Sequence, residues 1–230
     1  KMVMVEVKKK RSFERDSVGG MTEIKRQVSG IDNKDKSDER NKIDRVVARE
    51  EETPTGDDAG SKLTNGDASV FIGQGAGKVH VTGNRNIAIG HNAMVDTDAG
   101  STSYASNDNL FIGVEAGGGT WTNTAIQQNV GIGNYTLSKQ TTGCLNTASG
   151  YLAGYCMTTG IRNVTVGACT LCLNTTGNDN VAIGALALKA NTSGCNNTAV
   201  GRSALNSNTT ANSNTAIGMC SLFANTTGAD

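Results

Sequence analysis

Three acidic residues in the middle of the chain are the nearest thing to a hydrolytic set: Asp96, Asp98 and Glu115. Glycan-cleaving enzymes pair two carboxylates about 5–10 Å apart. Here the residues sit in loop-like sequence that fixes no separation, and solvated loops are the simpler reading. His80 and His91 are the only histidines, and no Ser/His/Asp set accompanies them. Cys169-Thr-Leu-Cys172 is a lone CxxC without the second pair or histidine that a zinc site needs. Gly73-Gln-Gly75-Ala-Gly77 mimics part of a phosphate-binding loop, but no helix is predicted after it. These residues therefore predict no enzyme, no metal and no cofactor.

What positions every one of them is a repeat. The clearest copies read Asn180-Val-Ala-Ile-Gly184, Asn197-Thr-Ala-Val-Gly201 and Asn214-Thr-Ala-Ile-Gly218. Looser copies end at Gly73, Gly90, Gly113, Gly133, Gly150 and Gly167. Successive anchor glycines lie 17, 23, 20, 17, 17, 17, 17 and 17 residues apart. A short fixed period means one unit stacked on itself. The chemistry of such a molecule lies in its surface and its length.

Where the period slips, residues loop out, often on the binding face. The first slip holds Asp96, Asp98 and Tyr104, and the second holds Trp121 in Gly117-Gly-Gly-Thr-Trp121. These four are the candidate ligand-contact residues. For Trp121 two readings stand: stacking on a sugar, or packing in the interior.

Charge divides the chain. Residues 1–62 hold 15 Lys/Arg and 14 Asp/Glu, whereas residues 63–230 hold 6 and 7. The first part reads as a charged attachment or stalk segment with its linker, the second as the repeat domain. Neither carries the single-sign field of a nucleic-acid binder. No run of 18 apolar residues occurs, so no membrane-spanning helix is expected. Lys1–Val7 alternates like a short strand, and Met21, Ile24, Val28 and Ile31 follow a helical seam that fails afterwards. The repeat phase at Asp230 predicts that the solenoid continues.

Six cysteines lie in the repeats. Cys144 and Cys195 share a phase, as do Cys169 and Cys220, each pair 51 residues apart. Three coils of about 4.8 Å place such partners about 14 Å apart, beyond disulfide reach. Free thiols are the expectation.

In each copy the residues three and one before the glycine are mostly Val, Ile, Leu or Thr, and the residue between them is commonly Ala. That alternation predicts a short strand. Asn-Thr-Thr-Gly and its variants follow in the second half of the coil, where Asn suits a turn. The glycosylation pattern at Asn174, Asn191, Asn208 and Asn225 recurs at the period, so turn chemistry accounts for it; Asn163 adds one more match. A coil of 17 residues has room for two strands of about five residues and two turns. The expected fold is an all-β parallel β-roll or β-helix with a charged, partly helical N-terminal segment. Its interior is too small for the whole apolar stripe, and three rolls packed about an axis would bury the surplus.

The motif Asn-Thr-Ala-[Ile/Val]-Gly-x-x-Ala-Leu-x-x-Asn-Thr-Thr-Gly resembles repeats of bacteriophage-type viral tail fibres over residues 68–230. It is also similar to the Asn-Ser-Val-Ala-Ile-Gly repeats of trimeric autotransporter adhesin heads. The coil here is longer than the adhesin coil. The resemblance implies a homotrimeric fibre on a virion surface, joined to other virion proteins through its N-terminal segment. It also implies contact with a glycan or protein of the host cell. A bacterial surface adhesin is the alternative, and a polysaccharide-degrading tailspike the second.

Overall fold

The computed structural model describes residues 13–15, 21–23, 56–63, 68–95, 106–121 and 126–228. They fall in two units, Lys1–Arg40 and Asn41–Asp230. In the first, β1 (Phe13–Arg15) pairs antiparallel with β2 (Met21–Glu23), Phe13 opposite Glu23. Met21 was the first residue of the expected helical seam, yet it lies in a strand. The seam offers only four positions before it fails, too few to hold a helix by packing. Ile24, Val28 and Ile31 lie outside the described residues, as does Lys1–Val7.

The second unit is a β-solenoid. Its strands are β3 (Val70–Ile72), β4 (Ile87–Ile89), β5 (Leu110–Ile112), β6 (Val130–Ile132) and β7 (Thr147–Ser149). They continue as β8 (Val164–Val166), β9 (Val181–Ile183), β10 (Thr198–Val200) and β11 (Thr215–Ile217). All nine form one parallel sheet in chain order. The register is that of the repeat, with Ala182 opposite Ala199 and Ala199 opposite Ala216.

Each coil has one strand of three residues, not two of five. The reason lies in the residues after the anchor. In the coil of Gly184, φ is +118° at Gly184, +63° at Leu186, +48° at Leu188 and +59° at Asn196. Alternating left- and right-handed residues curl the backbone, so no second strand forms. A leucine in this region costs about 1–2 kcal/mol. Bonds to both neighbouring coils offset it: Leu186 N–H donates to Ala168 O at 3.0 Å and Leu188 N–H to Ala204 O at 3.0 Å.

The interior is filled by a size exchange within each coil. Where the middle strand residue is Ala182 or Ala199, the residue four past the glycine is Leu188 or Leu205, all fully buried. Where it is Phe71 or Phe111, that residue is Gly77 or Gly117. A Cβ on Gly117 would sit 2.7 Å from the Phe111 ring. In the coil of Gly150 the fourth residue is Gly154, and Met157 and Leu137 close in on its space.

Two ladders of buried amides run along the stack. Oδ1 of Asn180 accepts from the Asn197 backbone N–H at 3.0 Å and from Asn197 Nδ2 at 3.1 Å. The same pair of bonds joins Asn163 to Asn180 and Asn197 to Asn214. The second ladder runs from Asn191 Nδ2 to Asn174 Oδ1 and from Asn208 Nδ2 to Asn191 Oδ1, both at 2.9 Å. Contrary to the expectation from the sequence, these Asn-Thr-Thr/Ser asparagines are not left-handed turn residues. Their amides point inward and bond carbonyls three residues on, such as Gly177 O and Gly194 O. Asn163, Asn174, Asn191 and Asn208 are fully buried, so the folded chain offers none of them to a glycosyltransferase.

Residues 56–63 close the end beside β3. Gly60 N–H donates to Ala76 O and Gly75 N–H to Asp57 O, both at 2.9 Å. Lys78 Nζ adds an exposed ion pair with Asp58 at 2.8 Å.

A candidate interaction face

Strands of three residues present their middle residue to one side and both flanking residues to the other. Here the middle residues are the core. Phe71, Ala88, Phe111, Ala148, Ala182, Ala199 and Ala216 are all buried. The flanking residues therefore point out of the solenoid. The column just before the glycines reads Ile72, Ile89, Ile112, Ile132, Ser149, Val166, Ile183, Val200 and Ile217. Eight of these nine are Ile or Val. Ile132 is 42% exposed, Val166 40%, Ile183 39% and Ile217 72%. A second column, from Val70 to Val181 and then Thr198 and Thr215, runs beside it. At about 4.8 Å per coil the ridge is about 38 Å long. It carries no charged residue in either column.

Contiguous exposed apolar surface is the feature that most often marks interaction sites on proteins. Polar residues interrupt the ridge at Thr147 and Ser149, which fall in one coil, and at Thr198 and Thr215 in the second column. Beside the break at Thr147 and Ser149 two tyrosines of consecutive coils meet. Tyr151 is 54% exposed and meets Tyr135 edge-on at 6.1 Å between centroids. The sequence reading missed this pair because each tyrosine alone looks like an ordinary variable position. Their adjacency follows only from stacking offsets one and two in consecutive coils.

The sequence-derived site residues do not form one site. Trp121 is in the core at 1% exposure, its ring 6.0 Å from that of Phe111. Of its two readings, packing is where the structure puts it, and its ring offers no face to a sugar. Asp96, Asp98 and Tyr104 lie outside the described residues. Asp108 and Asp179, two further acidic residues of the body, are engaged by arginines one coil away. Arg85 Nε meets Asp108 at 2.6 Å and Arg162 Nε meets Asp179 at 2.7 Å. The arginine holds each carboxyl below its ordinary range, chiefly through the hydrogen bond. A permanently ionised, paired carboxylate is a poor proton donor.

His80 is fully buried, with the Phe71 ring 5.6 Å away edge-on and Asn86 Nδ2 3.3 Å from its Nε2. Burial pushes its pKa down to about 4, against a hydrogen bond with the Gly83 backbone that raises it. It stands where Asn174, Asn191 and Asn208 stand in later coils, seven residues past the glycine. It is a core histidine in a ladder position. Cys169 and Cys172 carry free thiols, as do the other four cysteines. Among the described residues no group of three His, Cys, Asp or Glu side chains is arranged to hold a metal ion. No described helix is long and apolar enough to cross a membrane. The anchors Gly73, Gly90, Gly113, Gly133, Gly150, Gly167, Gly184, Gly201 and Gly218 all adopt positive φ, as turn points of the stack. Comparisons with protein-family models, with curated proteins and with solved structures find no match to this chain.

Proposed function

We propose that this chain is a structural fibre protein that assembles as a homotrimer through the Ile/Val ridge. It projects from a virion, with its N-terminal segment held by other virion proteins, and serves attachment to a host cell. The observation that carries the assembly is the ridge itself: eight β-branched side chains facing outward in one column. A water-exposed stripe of this length is costly, and a straight partner with the same rise per coil removes it from solvent along its whole length. A second and third copy of the chain have that rise. The placement on a virion rests on the resemblance of the repeat to viral tail fibres. No pocket chemistry is required for this role, and an enzyme reading gains no support from Asp108 or Asp179, which are spent in ion pairs.

The test of the placement is immunolabelling with antibodies raised against residues 126–228. Decoration of fibres on intact particles, with adsorption to host cells blocked, is the expected result. Labelling of a bacterial surface instead would overturn the viral reading in favour of a trimeric adhesin.

A further inference from the structure

Along one corner of the solenoid, the residue six past an anchor glycine bonds to the residue five past the next one. Lys139 N–H donates to Tyr155 O at 3.1 Å, Cys156 N–H to Cys172 O at 2.9 Å and Leu173 N–H to Lys189 O at 3.1 Å. At the first of these pairs the side chains meet as well. Lys139 Nζ lies 5.6 Å from the centroid of the Tyr155 ring. One coil later the same two positions carry Cys156 and Cys172.

We infer that Cys156 and Cys172 form a dithiol that a low-molecular-weight disulfide, such as oxidised glutathione, converts into a covalent staple between two consecutive coils. One backbone N–H···O bond between parallel coils stacked about 4.8 Å apart, with an offset of at most one residue, leaves the bonded residues' Cα atoms about 5–6 Å apart. Disulfides span Cα distances of about 4.4–6.8 Å. Cysteines of equal phase, such as Cys144 and Cys195, stack three coils apart, out of reach of one another. Cys156 and Cys172 differ in phase by one position, which is the offset the corner brings together.

The two thiols are unequal. Cys156 is partly exposed and Cys172 is buried. Burial, then the nearby Cys169 and Cys156 sulfurs, push Cys172 up to about 11. Cys156 is thus the group that meets the oxidant. Its thiolate attacks one sulfur of oxidised glutathione, forming a mixed disulfide and releasing one glutathione thiolate. Cys172 then loses its proton and attacks the Cys156 sulfur, releasing the second glutathione. Two protein thiols are oxidised and one glutathione disulfide is reduced to two thiols, which take up the two protons. The second step is limited by the thiolate fraction of Cys172, so it quickens about tenfold per pH unit below its pKa.

The experiment treats the full native chain with oxidised glutathione, blocks remaining thiols and maps the products. Free thiols are expected to fall from six to four per chain without crosslinked oligomers on a non-reducing gel. Trypsin cuts after Lys139, Arg162 and Lys189, so the staple joins peptides 140–162 and 163–189. Fragmentation is expected to place the link at Cys156 and Cys172. Cys156→Ser and Cys172→Ser each abolish it; Cys144→Ser and Cys169→Ser retain it. The wild-type map decides the matter even where a variant folds poorly. Glutathione adducts without a link, a Cys169–Cys172 link, or a rate of closure that does not rise with pH would each overturn the inference.

Discussion

The coils before residue 122 and those after 125 share one backbone path but not one interior. The early coils hold Phe71, His80, Met94, Phe111 and Trp121 inside. The late coils from Gly184 hold Ala and Leu columns flanked by two unbroken asparagine ladders. The polar atoms that fail to find partners lie in or next to the early coils. Trp121 Nε1 and Gln140 Oε1 are buried without a hydrogen bond, each at a cost of about 1–3 kcal/mol. Gln140 stands in the second ladder's position and reaches Asn129 Oδ1 at 3.1 Å instead. The period slips in the same stretch, with spacings of 23 and 20. A strict period lets every amide bond its equivalent one coil away. The first ladder nevertheless crosses both insertions, Asn109 bonding Asn86 and Asn129 bonding Asn109. What the early coils lack is the second ladder, whose place His80 and Gln140 take, and aromatic rings fill the interior there. The difference separates coils filled by Ala and Leu between two amide ladders from coils interrupted by insertions.

Substitutions can break this contrast or sharpen it. The largest effect is expected in the late coils. A Cβ on Gly184 would lie 2.7 Å from the Gly201 backbone, whereas one on Gly218 meets nothing within 4 Å. Both glycines have φ of +118°. Gly184→Ala should therefore cost about 4 kcal/mol or more, and Gly218→Ala only the backbone strain of about 1–3 kcal/mol. Equal losses in urea melts would mean that strain, not coil-to-coil contact, selects these glycines.

Next comes an exchange of interiors. Phe111→Ala should cost about 3–5 kcal/mol through the cavity it leaves. Adding Gly117→Leu turns the coil into the late type, since Leu188 holds the equivalent left-handed conformation at φ +48°. The double variant should regain over half of the loss in a double-mutant cycle. Additive losses would show that the two core chemistries are not interchangeable.

A smaller effect concerns acid. His80 takes up its proton near pH 6.5 when unfolded but only near pH 4 when folded. Between these values the unfolded chain binds more protons, so stability falls as pH drops through that window, by at most about 3 kcal/mol. Hydrogen exchange should report it in the early coils and not beyond Gly133. His80→Asn, which installs the ladder residue, should remove the dependence; its persistence would assign the effect elsewhere.

The smallest effect is where the regions agree. Arg85–Asp108 and Arg162–Asp179 are the same exposed stacking pair in the two halves. Arg85→Ala and Arg162→Ala should each leave the melting temperature unchanged within error, because solvent screens such pairs.

Much of this was legible in the residues. The glycine spacing set the stack, the alternation around Ala182, Ala199 and Ala216 set the strand, and the surplus of Val and Ile set the outward ridge. What escaped were features that no single coil displays. The left-handed leucines at Leu186 and Leu188 defy their own preference and exist only through bonds to both neighbours. Asn174 and Asn191 look like turn residues until stacking turns them inward. The exchange of Phe111 for Gly117 could have been read by comparing coils position by position, since glycine replaces leucine only where space is taken. The proximity of Cys156 to Cys172 needed the corner's one-residue offset.

The claim that rests most on this contrast of inside and outside is that the Ile/Val ridge is buried by copies of the chain. Light scattering coupled to size-exclusion chromatography measures it directly. A single species at three times the 23.8 kDa chain mass is expected, shifted to lower mass by Ile132→Asp combined with Ile183→Asp. A monodisperse 23.8 kDa monomer at all concentrations would contradict it.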